Sequence, residues 1–291
     1  MTVLEPFEYG FMQRAMIAAA LIGGVTAAVG VFVILRRLAY IGHGLAHSIF
    51  GGAVVSFTLG INFFLGASIW GAFSVFLINQ AARRRQIGGD AAIGIITTAA
   101  FAIGIAVISR SRSFTRDFEA ALFGEILGIT PQDLYVSAGM IILIGAMLFI
   151  FWKQLVFITF DRDVAGSYGI SVSWVDAVFA LVLAATVVAS LQVLGVTLIA
   201  AALVIPPVVA RMSTDSFPRM FALAVFFGSV TGFIGIYISW FVDVSSGATV
   251  VLTQAALFAL SLAWGLLGSL RGRSAARRAE RLAGLERALN E

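Results

Sequence analysis

Two histidines, His43 and His47, carry the clearest metal-binding chemistry in this sequence, and the chain has no others. They lie four residues apart, a spacing that places both imidazoles on one face of a helix. Neutral imidazole is the commonest nitrogen ligand for zinc and suits other late transition metals. Two histidines do not complete a tetrahedral site, so water, a backbone carbonyl or a second copy of the chain must supply the rest. A pair of polar caps at the end of a membrane span is the alternative interpretation, and the residues alone leave both open.

Glycines flank the histidine pair. Gly42 and Gly44 bracket His43, and a glycine weakens a helix by roughly 1 kcal/mol relative to alanine. We therefore expect the helix to be broken or to start late at this point. Transporters use such breaks, with their exposed carbonyls, at ion sites.

The elements that must position this pair are membrane-spanning helices. Hydrophobic residues make up 60% of the chain and charged residues 12%, whereas a soluble domain carries about 25% charged residues. Long apolar runs, each sufficient to cross a bilayer as a helix, follow one another along the chain. The sequence therefore predicts an all-α polytopic membrane protein and excludes a sizeable soluble domain.

The apolar runs predict eight or nine transmembrane helices. A short gap at 61–66 and a weak interruption at 191–197 leave open nine spans or eight spans with a re-entrant segment. Together the runs form one transmembrane domain, residues 1–270, followed by a basic amphipathic tail, residues 271–291. The runs lie near 11–35, 45–61, 63–82, 91–109, 134–152, 174–192, 193–210, 220–241 and 249–270.

The basic residues indicate orientation rather than nucleic-acid binding. The net charge is +4, and most arginines fall either in short connections or in the tail, which share one side under the nine-span count. Positively charged loops face the cytoplasm, which places the C-terminus inside and the N-terminus outside. The loop 110–133, with three arginines on the outer side, is an exception. The tail is expected to lie on anionic lipid, to contact a partner or to be solvated.

The sequence lacks the residues that several activities require. The only lysine, Lys153, is followed by Gln154, so the chain has no Gly-Lys-Ser/Thr phosphate loop. Carboxylates are nearly absent from the apolar runs, whereas proton-coupled carriers usually bury acids there. The chain has no cysteine, which excludes disulfides and thiolate metal ligands. If transport is active, its energy source is therefore expected on another chain.

A short polar segment and a proline pair complete the candidate positions. Asp161 and Asp163 favour a helix N-terminus, and Gly169 suits a C-terminal stop. Pro206 and Pro207 lie inside an apolar run, where the missing backbone donors predict a kink or break of the helix. The short helix is predicted to carry an apolar face made of Val164, Ala165 and Tyr168.

At four stretches the sequence resembles the membrane permease subunit of the zinc/manganese/iron class of ABC importers. In the first stretch, members of that family carry Gly-Asp-x-x-x-His, and His43 here takes the place of the aspartate. The resemblance covers nearly the whole chain. The stretches are RRLAYIGHGLAHSIFGG (36–52), ALFGEILGITPQDL (121–134), DRDVAGSYGISV (161–172) and GVTLIAAALVIPPVVARM (195–212).

The resemblance implies a type II ABC importer fold in a bacterial plasma membrane. It implies a homodimer with the metal path near the two-fold axis, two cytoplasmic ATPase subunits and an extracytoplasmic metal-binding protein. His43 and His47 would contact the transported ion, and no cofactor would be tightly bound. The segment from Asp161 to Gly169 would be the coupling helix that docks on the ATPase. Replacing the aspartate with histidine removes a hard oxygen ligand, which favours zinc over manganese.

Two other functions compete with this interpretation. A self-sufficient secondary metal carrier would need no ATPase. An intramembrane metal-dependent enzyme would need a nearby acid, as in His-Glu-x-x-His, but only Gly44, Leu45 and Ala46 separate the two histidines.

Overall fold

The computed structural model describes residues 3–82, 89–111, 122, 124 and 131–266, and this part of the chain is helical without strands. The tail 271–291, most of the stretch 121–134 and most of the loop 110–133 lie outside the described residues. The helices are a 3-10 turn Glu5–Glu8, α1 Gly10–Leu35, α2 Ala39–Thr58, α3 Phe63–Ala82, α4 Gly89–Ser111, α5 Pro131–Ile150, α6 Trp152–Phe160, α7 Arg162–Ser167, α8 Val172–Leu194, α9 Ile199–Ser213, α10 Phe217–Val242 and α11 Ser246–Leu266.

Each of the nine predicted apolar runs contains a helix, but the helices differ in their capacity to cross a bilayer. Six are long and apolar enough: α1, α3, α4, α8, α10 and α11. A seventh span would join α5 to α6, which bends away by 63°. Helix α2 has 20 residues, but its histidines and glycines dilute its hydropathy. Helix α9 has 15 residues, or about 22 Å, less than the ~30 Å hydrocarbon core. The number of crossings therefore stays a prediction.

Helix α1 forms the centre of the bundle and packs against α10 through paired glycines. A Cβ atom at Gly23 would lie 2.3 Å from the Gly228 carbonyl oxygen, and a Cβ at Gly228 would lie 2.3 Å from that of Gly23. Only small residues permit such an approach of two backbones. On another side of α1, the Thr26 and Ser190 hydroxyl oxygens lie 3.0 Å apart in a buried contact with α8. This packing fixes the position of the α1 C-terminus, from which α2 begins.

Of the kink or break expected at the proline pair, the break is wrong, because the helix is continuous there. Helix α9 continues through Pro206 and Pro207, and both side chains are buried. Because Pro207 has no N–H, the carbonyl of Leu203 one turn earlier loses its usual partner. That carbonyl faces α1 at Gly30, where an added Cβ would lie 2.0 Å from the oxygen. Close packing by a neighbouring helix accommodates the prolines, as in other membrane helices.

Candidate functional site

The two histidines project from α2 with their rings facing each other. The Nε2 atoms of His43 and His47 are 3.3 Å apart, and the ring planes are inclined at 84°. Two nitrogens that each lie about 2.05 Å from one tetrahedral zinc ion are separated by about 3.3 Å. The pair therefore matches one edge of a metal coordination shell. His43 is exposed and His47 is half-buried, so the edge is open on the His43 side.

Helix α4 packs against α2 beside His47 and Gly44. The ring of Phe101 lies 4.9 Å from that of His47, measured between centroids. A Cβ at Gly44 would lie 2.9 Å from Ile93 Cγ2 and 3.0 Å from Thr97 Cγ2. The glycine thus permits close packing of α2 on α4.

The expectation that the helix is broken or starts late at the glycines is wrong. Helix α2 begins at Ala39 and runs without a break through His43 and His47. The propensity cost of two glycines is about 2 kcal/mol at most, and burial of both glycine positions against neighbouring helices offsets it. Backbone carbonyls of this segment therefore remain within the helix, and the candidate ligand atoms on this helix are the imidazole nitrogens.

The described residues could supply only part of a coordination shell. Among the described residues, no group of three or more histidine, cysteine, aspartate or glutamate side chains is arranged to hold a metal. The Nδ1 atom of His47 is buried and has no hydrogen-bond partner in the described part of the chain. A metal at the Nε2 edge would thus take its remaining ligands from outside the described residues, for example from water or a second copy of the chain.

The segment after α6 folds as the sequence predicts at both ends. Asp161 is the N-cap of α7, where its Oδ1 accepts a hydrogen bond of 3.0 Å from the Val164 N–H. Gly169 adopts φ +78°, and the Ile170 N–H donates to the Ala165 carbonyl at 3.1 Å. These bonds form a Schellman stop. The N-cap at Asp161 and the stop at Gly169 are confirmed, and Asp163 lies in the first turn.

The predicted apolar face of α7 is divided between two sides. Ala165 is fully buried, whereas 40% of Val164 and 77% of Tyr168 are exposed. Successive residues of a helix are about 100° apart around its axis, so Ala165 turns inward when Val164 turns outward. The exposed apolar residues at α7 are therefore Val164 and the C-cap Tyr168, and Ala165 packs against the rest of the protein.

Three charged residues meet beside α7, and the sequence analysis did not single them out as a site. Arg36, the C-cap of α1, forms an ion pair with Asp176 of α8. The other oxygen of Asp176 accepts a hydrogen bond of 2.6 Å from Arg162, the first residue of α7. We call Arg36, Asp176 and Arg162 the charge cluster. The signal available in the sequence was a carboxylate near the start of an apolar run on the same predicted side as both arginines.

Arg36 is the buried member of the charge cluster. Only 5% of its side chain is exposed, and its guanidinium carbon lies 4.8 Å from the centroid of the Phe179 ring. Burial lowers the pKa of Arg36, and the neighbouring Asp176 carboxylate opposes that shift. The carboxylate therefore compensates a charge that the surrounding helices remove from water.

Comparisons with known proteins cover almost the whole chain. A family model described as ABC 3 transport family matches residues 8–265. The manganese transport system membrane protein MntC of Halalkalibacterium halodurans is 36% identical over 254 residues, which are 87% of each chain. The probable iron transport system membrane protein of Haemophilus influenzae is 34% identical over 88% of this chain and 90% of that protein. The solved structure of PsaBC from Streptococcus pneumoniae in complex with Fab has a TM-score of 0.82 at 32% identity, over 89% of this chain and 95% of that one.

Proposed function

Because this chain belongs to the ABC 3 transport family, we propose that it is the subunit through which an importer carries a divalent transition metal into the cell, with zinc as preferred cargo. The chain is a multi-pass permease of the metal-ion ABC class in a bacterial plasma membrane. It is not an enzyme, and ATP hydrolysis belongs to a separate subunit in such systems. The observation that carries the cargo proposal is the 3.3 Å separation of the two imidazole nitrogens.

The donor set favours zinc. Both ligand atoms at the edge are nitrogens from His43 and His47, and zinc accepts nitrogen readily, whereas manganese prefers oxygen. The open side at His43 leaves room for water or for the equivalent histidines of a second copy. A closed cage of four imidazoles would hold the ion too firmly for release, so a looser, partly hydrated site suits transport.

Manganese is the second candidate cargo, because a relative 36% identical to this chain is named for manganese transport. Another relative is named for iron. Water oxygens added to the histidine edge would give a mixed nitrogen and oxygen shell that manganese and ferrous iron also accept. A direct competition among the three metals decides between the candidates.

The assembly that we propose contains two copies of this chain, two ATPase subunits and a metal-binding protein outside the membrane. Val164 and the C-cap Tyr168 are the exposed apolar side chains at α7, which is the coupling helix of this proposal and would dock on the ATPase. The end of the bundle that carries α7 would face the cytoplasm. Membrane lipid would surround the long apolar helices.

The test is metal uptake by proteoliposomes that contain this chain with its ATPase and its binding protein. We expect uptake of radioactive zinc that requires ATP, and competition in which unlabelled zinc is more effective than manganese or ferrous iron. The matched control is the chain reconstituted alone, which should not accumulate zinc. Equal uptake by the chain alone would favour the secondary carrier, and preferential competition by manganese would favour the second candidate cargo.

A further inference from the structure

We propose that Arg36, Asp176 and Arg162 act as positioning residues that link movement of the coupling helix α7 to the histidine-bearing helix α2. The inference rests on the proposed function, in which α7 docks on the ATPase. The link is built from one carboxylate that holds two guanidinium groups from different elements.

The carboxylate of Asp176 uses both oxygens to join parts of the chain that are far apart in sequence. One oxygen pairs with Arg36, 140 residues away, and the other accepts from Arg162, 14 residues away, at 2.6 Å. Charge-assisted bonds of this kind are short and directional. A displacement of α7 must therefore either stretch the Arg162–Asp176 bond or carry the first turn of α8 with it, and α8 would then move the α1 end through the Asp176–Arg36 pair.

The Arg36 end of the link has no alternative charged partner among the described residues. Its side chain is buried against the Phe179 ring, and its Nε and Nη1 atoms have no hydrogen-bond partner in the described part of the chain. A buried guanidinium that lost Asp176 would be left uncompensated. Arg36 is thus held to Asp176 more firmly than Arg162, which is 57% exposed.

The backbone at Arg36 leads directly to the histidine pair. The next residue, Arg37, adopts the left-handed conformation with φ 57°, and the Leu38 N–H donates to the Val33 carbonyl at 2.8 Å. This is a Schellman turn with arginine at the position that usually carries glycine, so the connection is short and tightly bonded. Leu38 is the N-cap of α2, and His43 follows one turn later. A shift of Arg36 therefore shifts the base of the metal-binding helix.

Replacement of Arg162 should have different effects if its ion pair is purely structural and if it is a coupling link. The exposed Arg162 can be replaced without leaving a charge buried, so Arg162→Gln is expected to fold and to retain the ATPase. Loss of a structural contact would change stability alone. Loss of a coupling link would lower the amount of metal transported for each ATP hydrolysed, with stability and assembly preserved.

The experiment measures zinc transported per ATP hydrolysed in proteoliposomes that contain the complete complex. The variants are Arg162→Gln and the conservative Arg162→Lys, and the matched control is Asp215→Asn. Asp215 pairs at 3.8 Å with Arg211 four residues earlier, so this control removes an exposed ion pair that joins no separate helices. Thermal unfolding and co-purification of the ATPase are recorded for each variant.

We expect the transport ratio of Arg162→Gln to fall at least about fivefold, the lower end of typical coupling effects. Arg162→Lys should recover most of the ratio, and Asp215→Asn should match the wild type. An unchanged ratio in Arg162→Gln would overturn the link, and so would loss of the ATPase from that variant, since Arg162 would then act in docking. A wild-type complex without ATP-driven uptake would overturn the proposed function and the link together.

Discussion

The histidine pair and the charge cluster lie on connected elements but differ in how completely their polar atoms are paired. The Nε2 atoms of His43 and His47 face each other on the exposed side of α2, and the Nδ1 of His47 has no hydrogen-bond partner in the described part of the chain. In the charge cluster, Asp176 uses both carboxylate oxygens to hold two arginines, one of them buried. In the function that we propose, the histidines bind an ion that must be released, which suits an incomplete site. In the link that we propose, the charge cluster must persist through the transport cycle, which suits paired charges.

The largest difference between the two regions should appear in stability. Asp176→Asn leaves Arg36 buried beside a weakened partner and should lower the free energy of unfolding by about 3–5 kcal/mol. His47→Ala removes a half-buried ring and its contact with Phe101, at a cost of about 1 kcal/mol. Denaturant unfolding of both variants in detergent measures the difference. Equal losses would show that the cluster is no more firmly bound than the pair.

The second-largest effect should be a loss of ATPase association when the exposed apolar residues at α7 are replaced. The double variant Val164→Asp and Tyr168→Asp should weaken ATPase association about 100-fold or more, because buried anchors at interfaces each contribute about 2 kcal/mol or more. Co-purification of the ATPase at several concentrations measures the loss. Ser173→Asp, an exposed site in the first turn of α8, is the matched control and should retain the ATPase. Normal association of the double variant would contradict the docking role.

The third prediction concerns how the affinity of the histidine pair for zinc depends on pH. Metals bind the neutral imidazole, so proton uptake competes with the metal as pH falls. Below neutral pH, the affinity for zinc should decrease by up to about tenfold per pH unit for each histidine that must lose a proton. Uptake at subsaturating zinc measures this dependence. His43→Asp removes one of the two imidazoles and should give a shallower dependence; an identical profile would exclude His43 as a ligand.

The sequence predicted those features that depend on neighbouring residues. A helix at each apolar run, the cap at Asp161 and the stop at Gly169 follow from hydropathy and local hydrogen bonding, and the structure contains them. The facing of His43 and His47 follows from their spacing of one helical turn. In each case the information lies within a few residues.

Features that depend on packing between distant segments were missed. Helix α9 passes through Pro206 and Pro207, and the released Leu203 carbonyl packs against Gly30 of α1, a contact that local propensity does not encode. Ala165 faces inward because α7 packs against the rest of the protein at this position, which the residues of α7 alone do not specify. The charge cluster joins residues 140 positions apart, so the sequence predicts only the side of the membrane on which its arginines lie and not their shared partner.

The initial rate of ATP-driven zinc uptake in His43→Ala and His47→Ala complexes tests the central claim most directly. Each variant should lose at least about tenfold in rate at subsaturating zinc, because even indirect disturbance of a metal ligand has effects of that size. Tyr40→Phe, an exposed position on the same helix, is the control and should transport normally, and His43→Asp should retain transport with a shift towards manganese. Zinc uptake at the wild-type rate in both alanine variants would mean that the histidines are interfacial caps and that the metal path lies elsewhere.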